Sequence, residues 1–231
     1  MIFGFSTGVL HQYLDAKQSI KIIKQLGCAA IELGFVRKER MENGWMEAIT
    51  KEDLEGFKYI SLHAPKMYYK DNEETRDVFK RIERINNLRP LDLVVFHLDN
   101  VVDVKVFKKA LFPVGFENMD KQKPFGRTLK DIEKLLKKNA DFRFVLDTNH
   151  IKSNDPSMKM INEFYSQLGH KIAEYHVSGL GSDYPHIPLF QTQKTDILEA
   201  VKDLSKPIIC ESRLTPDNIR QEKEFIEKYL K

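Results

Sequence analysis

The sequence predicts a single-domain α/β fold, a closed barrel of eight parallel strands wrapped by helices. Three observations carry this expectation. Short apolar runs of strand length alternate with segments whose apolar residues recur at helical spacing, the mark of repeated strand-helix units. Eight such runs can be counted, which favours a closed barrel over an open doubly wound sheet. Six of them end in His, Asp or Glu, namely His63, His97, Glu117, Asp147, His176 and Glu211. Scattered surface charges would not follow strand ends so regularly, whereas a parallel barrel brings all six tips to one face, where barrel enzymes keep their chemistry.

The first strand is expected over Ile2 to Ser6, and its helix from Asp15 or Gln18 to Leu26, with Ile20, Ile23 and Leu26 on the apolar face and Gly27 at the C-terminal end. Ala29 to Leu33 reads as the second strand, its Glu32 directed into a barrel or onto a loop. Between residues 36 and 57 the pattern supports only a short helix around Thr50, Asp53 and Leu54. Tyr59 to His63 is the third strand, and a long helix opens at Asn72 or Glu73 and runs to Leu88, with Pro90 closing the connection. Asp92 to His97 and Pro113 to Glu117 are the fourth and fifth strands, with a helical segment over Asp103 to Ala110. A helix from Thr128 to Lys138 follows, then the sixth strand over Phe142 to Asp147 and a helix from Pro156 to Leu168. Ile172 to His176 is the seventh strand, and a loop rich in Gly, Ser, Asp and Pro covers 178 to 191. The chain ends in a helix over Asp196 to Leu204, an eighth strand over Pro207 to Glu211, and a last helix that Thr215 and Pro216 introduce and Tyr229 closes.

The length of 231 residues suits one domain with a full hydrophobic core. Hydrophobic residues at 42% and charged residues at 31% are an ordinary globular balance. A formal net charge of +3 permits phosphate binding without demanding nucleic acid. Cys28 and Cys210 lie in apolar runs and read as buried thiols rather than a disulfide or metal pair. There is no Gly-rich nucleotide loop, since Gly179-Leu180-Gly181 lacks the helix and spacing such a loop requires. No apolar stretch reaches membrane-spanning length, and the first residues enter a strand with no basic region before them. No membrane partner and a cytoplasmic location are therefore expected.

The strand tips are candidate metal ligands, because mixed nitrogen and oxygen donors suit zinc, manganese or a similar divalent ion. Glu117, Asp147, His176 and Glu211 can hold one ion, and Glu117 can also bridge to a second ion held by His63 and His97. Paired ions suit phosphodiester hydrolysis. A single ion suits sugar isomerisation or epimerisation, in which Glu117 and Glu211 can also move protons. His11 follows the first strand and can line the pocket, whereas His170 is expected to face solvent. Lys66, Tyr68, Tyr69 and Lys70 combine positive and aromatic groups that could touch a phosphate backbone or close over a sugar.

These residues carry a resemblance. Ser61-Leu62-His63-Ala64-Pro65, Phe116-Glu117-Asn118-Met119, Leu146-Asp147-Thr148-Asn149-His150, Tyr175-His176-Val177, His186-Ile187-Pro188-Leu189 and Ile209-Cys210-Glu211-Ser212 together resemble the xylose-isomerase-like TIM-barrel superfamily over nearly the whole chain. That superfamily includes endonuclease IV and many sugar isomerases and epimerases. The endonuclease IV likeness implies a trinuclear zinc site: His63, His97 and Glu117 for one ion, Glu117, Asp147, His176 and Glu211 for the next, and His150 with His186 for the third. The third ion there also takes an Asp two residues before the last His. This chain has Tyr184 at that position and Asp183 one step earlier. The isomerase likeness implies Glu117, Asp147, His176 and Glu211 around one ion, with His150 touching substrate.

The preferred expectation is a metal-dependent phosphodiester hydrolase acting on DNA with an abasic site, because His63 and His97 supply a second ion's ligands. Glu117, Glu211 and His150 are its expected catalytic residues. The alternative is an isomerase or epimerase of a small sugar or sugar phosphate. A non-catalytic metal- or ligand-binding barrel is a third possibility.

Overall fold

Eight parallel strands close on themselves in the order β1-β10-β7-β6-β5-β4-β3-β2. In chain order the strands are β1 (Phe3–Ser6), β2 (Ala30–Gly34), β3 (Tyr59–His63), β4 (Leu93–His97), β5 (Val114–Glu117), β6 (Arg143–Asp147) and β7 (Ile172–Val177), then a two-stranded antiparallel hairpin of β8 (Gly179–Leu180) and β9 (Pro185–Ile187), and β10 (Ile208–Cys210). This computed structural model describes residues 1–182 and 185–230. The expected eight-stranded (β/α)8 barrel is the fold of the protein, with the strand of each expected run within a residue or two of its predicted limits.

Alternation along the strands divides the interior into two cores. On β4, Val94 and Phe96 point outward to the helices, while Leu93, Val95 and His97 share the inward face. Leu93, Val95 and Val145 form a small separate cluster, flanked by Tyr59 and Ala173, that plugs the barrel below the tips. The larger core lies between strands and helices. Its aromatic part runs through Tyr69, Phe79, Phe96, Phe107, Phe116 and Phe142, with ring centroids 4.8–6.5 Å apart from one contact to the next.

The outer helices start where their capping residues allow. Asp15 and Gln18 form a capping box on Ala16–Gln25. Asn72 caps Glu73–Leu88, and Thr128 with Asp131 boxes Leu129–Lys137. Five local expectations need correction. The region 36–57 holds a helix over Lys38–Glu42 as well as the expected one at Lys51–Leu54. The helix expected from Pro156 begins only at Met160, and an unexpected helix, Thr148–Asn154, precedes it. The segment read as a loop over 178–191 contains the β8-β9 hairpin and the start of a short helix, Leu189–Thr192. Asp103–Ala110 is a 3-10 turn over Val104–Lys109, and the helix expected over Asp196–Leu204 spans only Asp196–Glu199. Cys28 and Cys210 are buried free thiols, as expected.

Candidate metal centre

The parallel register sets the tips level with one another. His97 pairs with Glu117 across β4-β5, and Asp147 with His176 across β6-β7. Glu211 follows directly on β10, its backbone N–H donating to the Val177 carbonyl at 3.0 Å. Glu117, Asp147 and His176 are fully enclosed, and His63, His97 and His150 nearly so. Glu211 and His186 reach the open mouth, a cavity of about 530 Å3 that Glu117, His63, His97 and His150 also line.

Glu117 is the hub. Its Oε2 lies 3.3 Å from both His63 Nε2 and His97 Nε2, and its Oε1 lies 3.2 Å from His176 Nδ1 and 3.6 Å from His150 Nδ1. His176 Nδ1 is 3.6 Å from Glu211 Oε2. Asp147 divides its two oxygens. Oδ1 accepts the His150 backbone N–H at 2.8 Å and so caps the helix Thr148–Asn154, whereas Oδ2 is buried with no hydrogen-bond partner. The backbone of Asp147 is fixed from the next strand. Asn118 accepts its N–H at 2.8 Å and donates to its carbonyl at 3.0 Å.

Burial pushes the Asp147 carboxyl up to about 6 and the Glu211 carboxyl up to about 8, because ionising either inside a nest of acids is unfavourable. Burial opposes ionisation of His63 as well, but its hydrogen bond to Glu117 and the charge of Glu32 lift it to about 9. Such a concentration of buried acids is the environment a divalent cation neutralises. One ligand atom each from Glu117, Asp147, His176 and Glu211 lies within 4.8 Å of the others. The donors fit one divalent ion of the zinc or manganese kind. His63, His97 and Glu117 form a second group by the same measure, and His63, His176 and Glu211 a third.

Not every expected ligand joins a group. His150 gives its Nδ1 to the Asn118 carbonyl at 2.7 Å, and His186 pairs its Nδ1 with the Ser178 hydroxyl at 3.0 Å. Their rings stand 5.9 Å apart, and among the described residues neither is part of a three-donor cluster. Asp183 and Tyr184, on which the third ion's ligand set turned, lie outside the described residues. His11 lines the mouth and His170 is exposed, both as expected. Sequence reasoning passed over Asn118 and Glu174. Glu174 Oε1 lies 2.8 Å from His176 Nε2, with Glu32 Oε2 at 3.2 Å on the same nitrogen. Strand alternation could have found Glu174, since it sits two residues before His176 and must share its inward face.

No protein-family model matches the sequence, and no curated protein matches it. Solved structures do. A D-tagatose 3-epimerase-like protein is 18% identical, with a TM-score of 0.71 over 100% of this chain and 97% of the other. The IolI protein, solved with a bound zinc atom, is 15% identical, with a TM-score of 0.72 over 100% and 98%. D-psicose 3-epimerase from Clostridium cellulolyticum H10, solved with D-tagatose, is 13% identical, with a TM-score of 0.66 over 100% of both chains. The chain has the fold of the xylose-isomerase-like TIM-barrel superfamily, as its motifs implied. The endonuclease IV-like hydrolase, its DNA substrate and a DNA-repair role are corrected by the same likenesses. Sugar 3-epimerases recur among them, a 3-keto-D-glucoside 4-epimerase from E. coli joins them, and none of these is a nuclease. The Lys66-to-Lys70 cluster also offers fewer exposed aromatics than its sequence suggests. Tyr69 is buried with its hydroxyl donating to the Pro65 carbonyl at 2.7 Å, which leaves Tyr68 alone at the surface.

Proposed function

We propose that this protein is a divalent-metal-dependent isomerase or epimerase of a sugar bearing a carbonyl next to a hydroxyl-carrying carbon. The observation that carries the reading is the convergence of Glu117, Asp147, His176 and Glu211, from four neighbouring strands, with Glu117 and Glu211 lining a cavity of about 530 Å3. A volume of that order suits a small metabolite. The structural likeness to sugar epimerases supports the same reading.

Glu117, Asp147, His176 and Glu211 would hold the ion. When bound, it would polarise the carbonyl and neighbouring hydroxyl of the substrate and so acidify the C–H bond between them. Glu117 and Glu211 both line the cavity, and their carboxylates are suited to the two proton transfers. In epimerisation one takes the proton from the carbon beside the carbonyl, the C–H electron pair passes to the carbonyl oxygen, and the other returns a proton to the opposite face. In isomerisation the proton goes back to the adjacent carbon, and carbonyl and hydroxyl exchange places. His150 offers its Nε2 to a substrate hydroxyl, because its Nδ1 is held by Asn118.

The test is solvent exchange. Metal-loaded protein is incubated in deuterium oxide with a panel of ketoses and aldoses and their phosphates, and deuterium at the carbon beside the carbonyl is read by NMR. Incorporation with at least one sugar is expected, with a loss of 1,000-fold or more in Glu211→Gln and in Glu117→Gln. Metal content is measured in parallel. A fully metal-loaded protein that exchanges no sugar proton would overturn the proposal.

A further inference from the structure

The mouth of the barrel is chemically two-sided. The group Glu117, Asp147, His176 and Glu211 comes from the β5, β6, β7 and β10 tips, and the rim from β10 through β1 to β3 carries cations. Arg37 and Arg40 follow β2, Lys66 follows β3, and Arg213 follows β10, and all four line the same cavity. Two further lining cations are already neutralised. Lys38 pairs with Glu42 and Glu74, and Lys123 lies 3.5 Å from Asp99. Among the described residues, Arg37, Arg40, Lys66 and Arg213 make no ion pair, although Glu39 and Asp120 also line the cavity.

All four open onto one cavity. The imidazole of His11, on the rim after β1, is held below its usual pKa by burial and then by the charges of Arg40, Arg37 and Arg213. Like charges gathered at one concave spot repel, and the fork of an arginine guanidinium matches the paired oxygens of a phosphoryl or carboxylate group. A neutral sugar offers these residues no countercharge.

We propose that the substrate of this site carries an oxyanion, a phosphoryl or carboxylate group, held by Arg37, Arg40, Lys66 and Arg213 on the β10-to-β3 side of the mouth while its carbonyl end faces Glu117 and Glu211. The substrate assignment rests on the isomerase or epimerase reading; the oxyanion site itself does not. Binding energy from the charged end would fix the register of the sugar over the proton-transfer groups.

The experiment has a binding arm and a turnover arm. Inorganic phosphate is titrated calorimetrically into metal-free and metal-loaded protein. Binding in both forms is expected, weakened at least tenfold in the double variant Arg40→Ala/Arg213→Ala and reduced by added salt. Circular dichroism checks that the variant is folded, and Lys66→Ala alone, a smaller change, is expected to weaken binding at least threefold. Phosphate binding that is absent, or unchanged in the folded variants, would overturn the site. In the turnover arm, deuterium exchange is compared for a ketose, its phosphate and the corresponding sugar acid. A kcat/KM at least 100-fold higher for one of the two anionic forms is expected, and the favoured form tells phosphoryl from carboxylate. Equal turnover of the neutral ketose would overturn the substrate assignment and leave the isomerase reading standing. Phosphate binding lost in the double variant, with no exchange from any of the three, would uphold the oxyanion site and overturn the isomerase reading.

Discussion

His176 is committed at both ring nitrogens. Nδ1 faces Glu117 and Glu211, and Nε2 faces Glu174 at 2.8 Å and Glu32 at 3.2 Å. For Nδ1 to offer a lone pair to an ion, the ring proton must sit on Nε2, and Glu174 is placed to accept it. Such an outer partner fixes both tautomer and ring orientation, and its loss typically lowers metal affinity by about 10–100-fold. Glu174→Ala is therefore expected to weaken zinc or manganese binding by about tenfold or more in competition with a chromophoric chelator. Glu174→Gln, which keeps an acceptor oxygen, should retain most of the affinity. Equal affinity in wild type and Glu174→Ala would show that His176 is oriented without it. The six tip residues were legible in the sequence because a strand end is marked by the break in its apolar run, whereas Glu174 was not, because a carboxylate inside such a run reads as ordinary strand until the inward face is assigned. Glu32 reads in the sequence as an acid directed into a barrel or onto a loop, and it is fully buried.

Elements were legible where apolar period and cap agreed. Glu73–Leu88 has both, with Asn72 accepting the Thr75 N–H at 3.0 Å, and its limits match the expectation. Thr148–Asn154 has a cap but no period: Thr148 to Ile151 are buried in succession, so no 3.6-residue stripe appears, and its cap, Asp147, reads in the sequence as a metal ligand. The segment 178–191 was read as loop because its ties are long-range. Glu222, on the helix Ile219–Tyr229, accepts the backbone N–H groups of Leu189 at 2.8 Å and Phe190 at 3.0 Å and the Ser212 hydroxyl at 2.5 Å. This buried carboxyl staples the last helix to the helix Leu189–Thr192 and to the residue after Glu211. Glu222→Ala strands these three donors and the Cys210 thiol, which donates at 3.7 Å, and is expected to cost about 3 kcal/mol in urea unfolding. Burial raises the Glu222 pKa above 4.5, so its protonated form is the better fit to the fold. The stability it contributes is complete below the unfolded value and declines as pH rises through the folded one. Glu222→Gln cannot ionise, so its deficit in Tm relative to wild type should narrow as pH rises from about 4 to 8. A deficit that widens with pH would contradict the assigned direction of the shift.

At the scale of the whole molecule, closure of the barrel is the condition for everything at its mouth. The donors come from β5, β6, β7 and β10 and the free cations from the segments after β2, β3 and β10, so an open sheet would separate them. The net charge of +3 conceals this arrangement of an acidic floor under a basic rim, which is why composition alone did not reveal it. Strand count and tip chemistry did reveal the closed fold, because eight strands with reactive ends on one side have few other arrangements. Closure depends on β1, which pairs with β10 on one side and β2 on the other. Gly4 makes the approach to β2 possible: a β-carbon there would lie 1.8 Å from the Ala30 carbonyl oxygen, and both groups are backbone, with no flexible side chain to yield. Gly4→Ala must then push β1 away from β2 and open the ladder at Phe5–Ile31 and Ser6–Glu32. The expected cost exceeds about 3 kcal/mol, beyond the usual overpacking range. Bound metal should fall with it, since Glu32 and Glu211 sit on or beside the strands that β1 joins. Gly27 provides the comparison. It has a φ of 70° with nothing within 4 Å of an added β-carbon, so Gly27→Ala should cost only about 1 kcal/mol from backbone strain and keep its metal. Urea midpoints and metal content of the two variants, measured together, decide the matter. A Gly4→Ala protein as stable and as metal-loaded as Gly27→Ala would mean that β1 does not close the barrel at this contact.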